Sequence, residues 1–256
     1  MERKETQDGE SQKESWQEFW DSIKDRVAVD MHAIYEKWSR AEDDVSREER
    51  VQKSIEMEEQ FVKAVLSQLE NILKEDSGKE TVALFDIDET IGVARRPNEE
   101  GDSYVTIFRP SIMALFEYLK QSNVKMGFLT TRGKLEEQLT HPNELGPIDS
   151  FIDKRFLFAS GEHGFSEDSG RFAETMKEEL GGPDGVINET LLNDDNIWRY
   201  TTIGSQEKLH ALATIRKTYK DQNFLVVDDF PYPEILSKRN GFYGVSLDES
   251  NKFLIR

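Results

Sequence analysis

The sequence predicts an α/β chain: a Rossmann-like, doubly wound parallel sheet with an N-terminal helical hairpin and only small cap insertions. Three observations predict it. The first stretch, to about Gly78, is poor in glycine and proline and repeats apolar residues at helical spacing. From Glu80 onward short apolar runs alternate with helical segments, the texture of strands joined by crossover helices. Acidic and hydroxyl residues gather where those apolar runs end, the edge at which open α/β sheets bind ligands.

In the first stretch Trp16, Trp20, Ile23, Val27, Ile34 and Trp38 form one apolar stripe, and Val51, Ile55, Val62, Val65, Leu69 and Ile72 a second. Ser46-Arg-Glu-Glu49 reads as a capping box that opens the second helix. Residues 1–78 are therefore expected to form an acidic helical hairpin, and residues 79–256 the α/β domain. Each arm must bury its stripe against the following domain, or against a second copy or partner.

In the second region, Thr81–Asp86 reads as a buried strand. Gly92–Pro97 and Tyr104–Arg109 flank Asn98-Glu-Glu-Gly-Asp102 and read as a β-hairpin. A helix is expected from Pro110 through about Lys120, with proline tolerated in its first turn. Further strands are expected at Val124–Leu129, Phe156–Ala159, Phe224–Val227 and Tyr243–Val245. The interval from Thr90 to Thr130 leaves no room for a large helical cap. A Gly-, Asp- and Asn-rich insertion of about 161–204 is also short for one, so a partly open pocket follows, unless the N-terminal hairpin serves as a lid.

Composition narrows the chemistry. At 256 residues, 36% of them hydrophobic, the chain can bury a sizeable core. The absence of cysteine removes disulfides, thiolate nucleophiles and Cys-type zinc sites. A net charge of −18 opposes nucleic acid and anionic membrane surfaces, although a bound metal ion can reverse the field inside one pocket. The N-terminus opens no apolar signal segment and no run approaches the length of a membrane helix, so a cytoplasmic protein is expected.

The first apolar strand ends in Asp86-Ile-Asp88-Glu-Thr90, the next in Thr130-Thr131-Arg132, and a later one in Asp228-Asp229. A helix expected from about Ser205 carries Lys208 in its first turn. Any one of these could be loop punctuation or a helix cap. Together, in this order, they would converge on one crevice.

That order, Asp86-x-Asp88-x-Thr90, then Thr130, Lys208 and Val226-Val-Asp228-Asp229, resembles the haloacid dehalogenase superfamily of phosphatases. The resemblance covers roughly Thr81 to Val245. It implies a Mg²⁺-dependent phosphomonoester hydrolase with Asp86 as nucleophile, forming an aspartyl-phosphate, and Asp88 as general acid and base. Thr130 would hydrogen-bond a phosphoryl oxygen, and Lys208 would offset negative charge at the reacting centre. Thr131 and Arg132 are candidate substrate-binding residues. Asp86, the main-chain carbonyl of Asp88, Asp228 and Asp229 would form an all-oxygen Mg²⁺ site, the second acid of that pair acting directly or through water.

Glu89 in Asp-x-Asp-Glu-Thr, and Arg109-Pro110 before a helix, also resemble the phosphatases of the RNA polymerase II carboxy-terminal domain. Asp228-Asp229 departs from the Asp-Asn of that group. Phosphotransfer to an acceptor other than water, and a binding or scaffold protein built on the hairpin, are the alternatives.

Other motifs carry less. Gly127 to Leu135 lacks both the spacing and the Ser/Thr of a phosphate-binding loop. His32, His141, His163 and His210 lack metal-ligand spacing, and no Gly-x-Ser-x-Gly elbow is present. Asn193-Asp-Asp-Asn196 is expected to be a turn rather than a calcium loop.

Overall fold

The computed structural model describes residues 15–38, 46–76, 78–95, 105–159, 176–192, 197–200 and 202–253. Two long helices come first, α1 (Trp16–Trp38) and α2 (Arg47–Glu75). Ser46 caps α2 as a capping box: its hydroxyl accepts from the Glu49 amide at 3.2 Å while the Glu49 carboxylate accepts from the Ser46 amide at 3.1 Å.

Along α1 the buried side chains are Phe19, Trp20, Ile23, Val27, Met31 and Tyr35. In its second half the stripe thus runs through Met31 and Tyr35, while Ile34 and Trp38 are only partly covered. On α2 the buried face runs from Val51 through Phe61, Val62, Val65, Leu66 and Leu69 to Ile72, and it includes one carboxylate, Glu58. The two arms also meet at a buried hydrogen bond between Tyr35 Oη and Ser54 Oγ, 2.8 Å.

A five-stranded, all-parallel sheet forms the centre, built from β1 (Glu80–Phe85), β4 (Lys125–Thr130), β5 (Leu157–Ala159), β6 (Gln222–Asp228) and β7 (Phe242–Ser246) in the order β5-β4-β1-β6-β7. The chain moves outward from β1 to β4 and β5, then returns to β6 on the other side of β1. Strand order reverses at β1, where such sheets open a crevice at their carboxyl ends. This order is compatible with a Rossmann-like arrangement. The expected β-hairpin is β2 (Gly92–Arg95) paired antiparallel with β3 (Val105–Phe108), and its turn lies outside the described residues.

Alternation along each strand assigns the two faces. Ala83 and Phe85 of β1, Leu225 and Val227 of β6, and Met126 and Phe128 of β4 share one apolar core with α1, α2 and α3 (Ile112–Gln121). The stripes of both hairpin arms are thus covered within the chain itself. Val82 and Leu84, Phe224 and Val226, and Leu129 point the other way, into a core built with α5 (Ile203–Thr218) and with Met176, Leu180, Val186 and Ile187. Part of the 161–204 insertion therefore packs into the second core. Residues 160–175, 193–196 and 201, which include His163 and the segment Asn193–Asn196 expected to be a turn, lie outside the described residues.

Two close approaches leave no room for a side chain at glycines of the sheet. A Cβ at Gly127 would stand 2.2 Å from the Phe156 carbonyl, and one at Gly244 1.9 Å from that of Pro233. Between β4 and β5 the short helix α4 (Leu135–Thr140) begins after Lys134, which adopts a left-handed φ of 57°. Among the described residues no helix is long and apolar enough to cross a membrane.

Candidate active site

The parity that sends Val82 and Leu84 toward α5 carries Asp86 to the same face. Its amide donates to the Val227 carbonyl at 2.9 Å, which holds the residue just past the strand end and beside β6. Ile87 turns back into the hairpin-side core, fully buried, and Ile91 follows it there. The loop closes when the amides of Ile91 and Gly92 donate to the Ile87 carbonyl, each at 3.1 Å, with Glu89 at a left-handed φ of 57°. On β6 the same alternation takes Phe224, Val226 and Asp228 to the α5 face.

On α5, Ser205, Lys208, Leu209, Leu212 and Ile215 are buried at helical spacing. The helix starts at Ile203, with the Thr202 hydroxyl accepting from the Ser205 amide at 3.3 Å. Lys208 consequently sits in its second turn, one later than the sequence suggested. Its ammonium bridges two carboxylates, 3.0 Å from Asp86 Oδ1 and 2.7 Å from Asp228 Oδ2.

Asp228 has no exposure at all. Besides Lys208 it accepts from the Tyr232 hydroxyl at 2.8 Å and, on its other oxygen, from the Phe230 amide at 3.0 Å. The Phe230 ring lies over the Lys208 ammonium at 4.8 Å.

Asp86, Asp228 and Asp229 each place one carboxylate oxygen within 4.8 Å of the others. Two buried carboxylates and a partly buried third thus gather around the buried Lys208 ammonium. Burial, reinforced by repulsion from Asp228 and only partly offset by Lys208, raises the Asp86 carboxyl to about 6. Burial also raises Asp228 and Asp229, the latter further by repulsion from Asp86. The neighbouring Tyr232 hydroxyl is pushed well above its ordinary range, chiefly by burial and then by Asp228. For Lys208 the attraction of Asp228 and Asp86 outweighs burial, which alone would lower it, and the ammonium is held charged. A pocket that burdens its carboxylates in this way, with only oxygen donors, fits a hard divalent cation such as Mg²⁺.

Asp88 emerges on the same side as Asp86 but faces outward, with its side chain 50% exposed. Its carboxylate receives a two-point contact from Arg132, at 2.8 Å from Nε and 2.5 Å from Nη2. It contributes no carboxylate oxygen to the Asp86–Asp228–Asp229 cluster. Arg132, a candidate substrate-binding residue in the sequence, is engaged here by Asp88 and by Gln138, the latter at 3.3 Å.

Thr130 is fully buried at the end of β4, and its hydroxyl accepts from the Arg132 amide at 3.3 Å. Thr131 is exposed, and its methyl lies 3.6 Å from where a Cβ at Gly204 would stand, at the start of α5. Two open depressions of about 610 and 550 Å³ lie elsewhere, and neither is lined by any residue of the carboxylate cluster.

The sequence reading missed three participants. Tyr232 reaches Asp228 from the 3₁₀ turn after β6, and nothing in Phe230-Pro-Tyr232-Pro marks it as a partner of the site. Lys252 lies 2.6 Å from Glu89 and 3.5 Å from Asp229, across more than twenty residues of chain. Arg109 donates to the Thr90 carbonyl at 2.5 Å and so supports the Asp86–Thr90 loop from beneath. Its position before Pro110 was visible, but the contact was not. Comparison of the chain with protein-family models, with curated proteins and with solved structures gives no match.

Proposed function

We propose that the chain is a phosphomonoester hydrolase of the haloacid dehalogenase type, with Asp86 as its nucleophile. The observation that carries the proposal is the Lys208 ammonium set between Asp86 and Asp228, inside a cluster of three carboxylates at the carboxyl edge of the sheet. Asp86, Asp228 and Asp229 would hold a Mg²⁺ ion. That ion would supply neutralisation of the charge that otherwise keeps a phosphate dianion from a carboxylate nucleophile.

The remaining roles follow from the side chains. Lys208 fixes Asp86 through Oδ1, which leaves Oδ2 to approach phosphorus in this reading. As the Oδ2–phosphorus bond forms, the bond from phosphorus to the leaving oxygen breaks. Asp88 in its protonated form gives that oxygen a proton. Asp88, again a carboxylate, then takes a proton from water as the water oxygen attacks phosphorus, and the bond to Asp86 breaks to release inorganic phosphate. Arg132 keeps Asp88 at the open side, where leaving group and water arrive. Thr130 is buried at the end of the neighbouring strand, where its hydroxyl accepts from the Arg132 amide.

The test is hydrolysis of an aryl phosphate with and without Mg²⁺, beside Asp86→Asn. Turnover that needs Mg²⁺ and vanishes in the variant supports the proposal. Turnover that survives Asp86→Asn would sink the assignment of the nucleophile. Where the wild type is silent toward the aryl phosphate, beryllofluoride labelling of Asp86 decides: an adduct supports the nucleophile, and failure to form one overturns it.

A further inference from the structure

Lys252 stands on the solvent side of the carboxylate cluster, and its place is fixed from several directions. The Asp248 carbonyl accepts from the amides of Asn251 and Lys252 at 3.1 and 2.9 Å, closing a turn. Arg109 donates through Nη2 to the Asn251 carbonyl. On the other side the Phe253 amide donates to the Glu89 carbonyl at 2.7 Å. The main chain around Lys252 is therefore clamped to the loop that carries Asp86 and Asp88, although the two segments are far apart in sequence.

The side chain then crosses to two carboxylates, Glu89 Oε2 at 2.6 Å and Asp229 Oδ2 at 3.5 Å. Of the two, Asp229 belongs to the cluster and Glu89 does not. Glu89 itself holds a left-handed backbone conformation that most side chains avoid. The ammonium is only 21% exposed and Asp229 15%, so their attraction is less screened than that of a surface pair.

We propose that Lys252 is an internal counter-cation of the metal site, paired with Asp229 and Glu89, that sets the affinity of the cluster for a divalent ion. It rests on the reading of Asp86, Asp228 and Asp229 as a metal site. With Lys208 already inside, a second ammonium beside Asp229 lowers the negative potential that draws a dication. Glu89 counteracts this by pulling Lys252 toward itself. Affinity is thereby tuned from outside the cluster by a pair that does not touch the reacting atoms.

The test is calorimetric titration of the full chain with MgCl₂ at low and high ionic strength, for wild type, Lys252→Met, Glu89→Gln, the double variant and Asp228→Asn, with melting curves to establish folding. Lys252→Met is expected to bind Mg²⁺ roughly five-fold tighter at low salt, an advantage that shrinks as salt rises. Glu89→Gln is expected to bind more weakly, and by less in the Lys252→Met background, because Lys252 transmits part of the effect. Affinity unchanged or weakened in folded Lys252→Met would overturn the role of Lys252 while leaving the metal site standing. Absence of wild-type binding that Asp228→Asn removes would overturn the metal reading, and this inference with it.

Discussion

Arg109 and Glu58, one before helix α3 and the other in the middle of α2, face each other at 2.9 Å with both side chains sealed from solvent. Glu58 also accepts from the Ser111 hydroxyl at 2.5 Å and the Ser111 amide at 3.2 Å. Arg109 stacks on Phe61 of α2 at 4.0 Å and donates to the main-chain carbonyls of Thr90 and Asn251. Burial lowers its guanidinium to about 10 against the attraction of Glu58. One buried arginine thus joins the hairpin, the Asp86–Thr90 loop and the segment that carries Lys252.

Removing either partner strands a buried charge. Glu58→Ala should cost about 3–5 kcal/mol in chemical denaturation, far more than any surface ion pair of this chain would. Arg109→Met should cost as much, because Glu58 is left unpaired and two carbonyls lose their donor. A loss below about 1 kcal/mol for both would mean that the hairpin and the loop are not coupled through this pair.

Stability without metal should depend on pH through Asp86. Its carboxyl is raised to about 6 from an ordinary 3.8, so between those values the folded state binds a proton that the unfolded state does not. This contribution stabilises fully below the unfolded value and is lost as pH rises through the folded one. In EDTA at pH 7.5, Asp86→Asn should therefore be more stable than wild type by about 1–3 kcal/mol. That advantage should shrink by about half at pH 5 and vanish only as pH falls below the unfolded value of 3.8. Melting curves of the two proteins across this range check it, and a difference that does not change with pH contradicts it.

Lys208 carries the charge balance of the pocket. Lys208→Met should lower turnover by about 10²–10³-fold, the scale of losing one pre-organised electrostatic group. Lys208→Arg should not rescue it, because the 1% exposed site is filled and a planar guanidinium cannot take the place of the ammonium between two carboxylates. Rates with an aryl phosphate at saturating Mg²⁺ provide the measurement.

Tyr232 orients Asp228 without reaching the rest of the cluster. Tyr232→Phe should weaken Mg²⁺ binding by about 10-fold, as loss of a ligand's own hydrogen-bond partner does. It should cost only about 1 kcal/mol of stability, since one hydroxyl is removed from a preserved ring. Calorimetry for the metal and denaturation for the fold separate the two effects. Unchanged affinity would assign Tyr232 to packing alone.

Much of the architecture could be read in the residue order. Two apolar stripes and the Ser46–Glu49 box define the hairpin, because helical period and cap chemistry are local. The apolar runs at Thr81, Val124 and Phe224 define parallel strands, because strands buried on both faces need side chains that avoid water on both. The alternation that directs Val82 and Leu84 to one face takes Asp86 with them, so the strand-end carboxylates were also visible, as were Thr130 and Lys208.

What the sequence by itself determined, then, is the hairpin, the strands of the sheet and the chemical types at their ends. Only the tertiary structure decided the partners. It turned Asp88 outward onto Arg132, brought Tyr232 to Asp228, and pressed Lys252 between Glu89 and Asp229. It also made Glu58 of an acidic helix a core residue, bound to an arginine 51 positions away. Helix and strand patterns are set by neighbours within a few residues. Charge pairing depends on distance in space and on burial, and neither exists until the sheet has closed and both of its faces are covered.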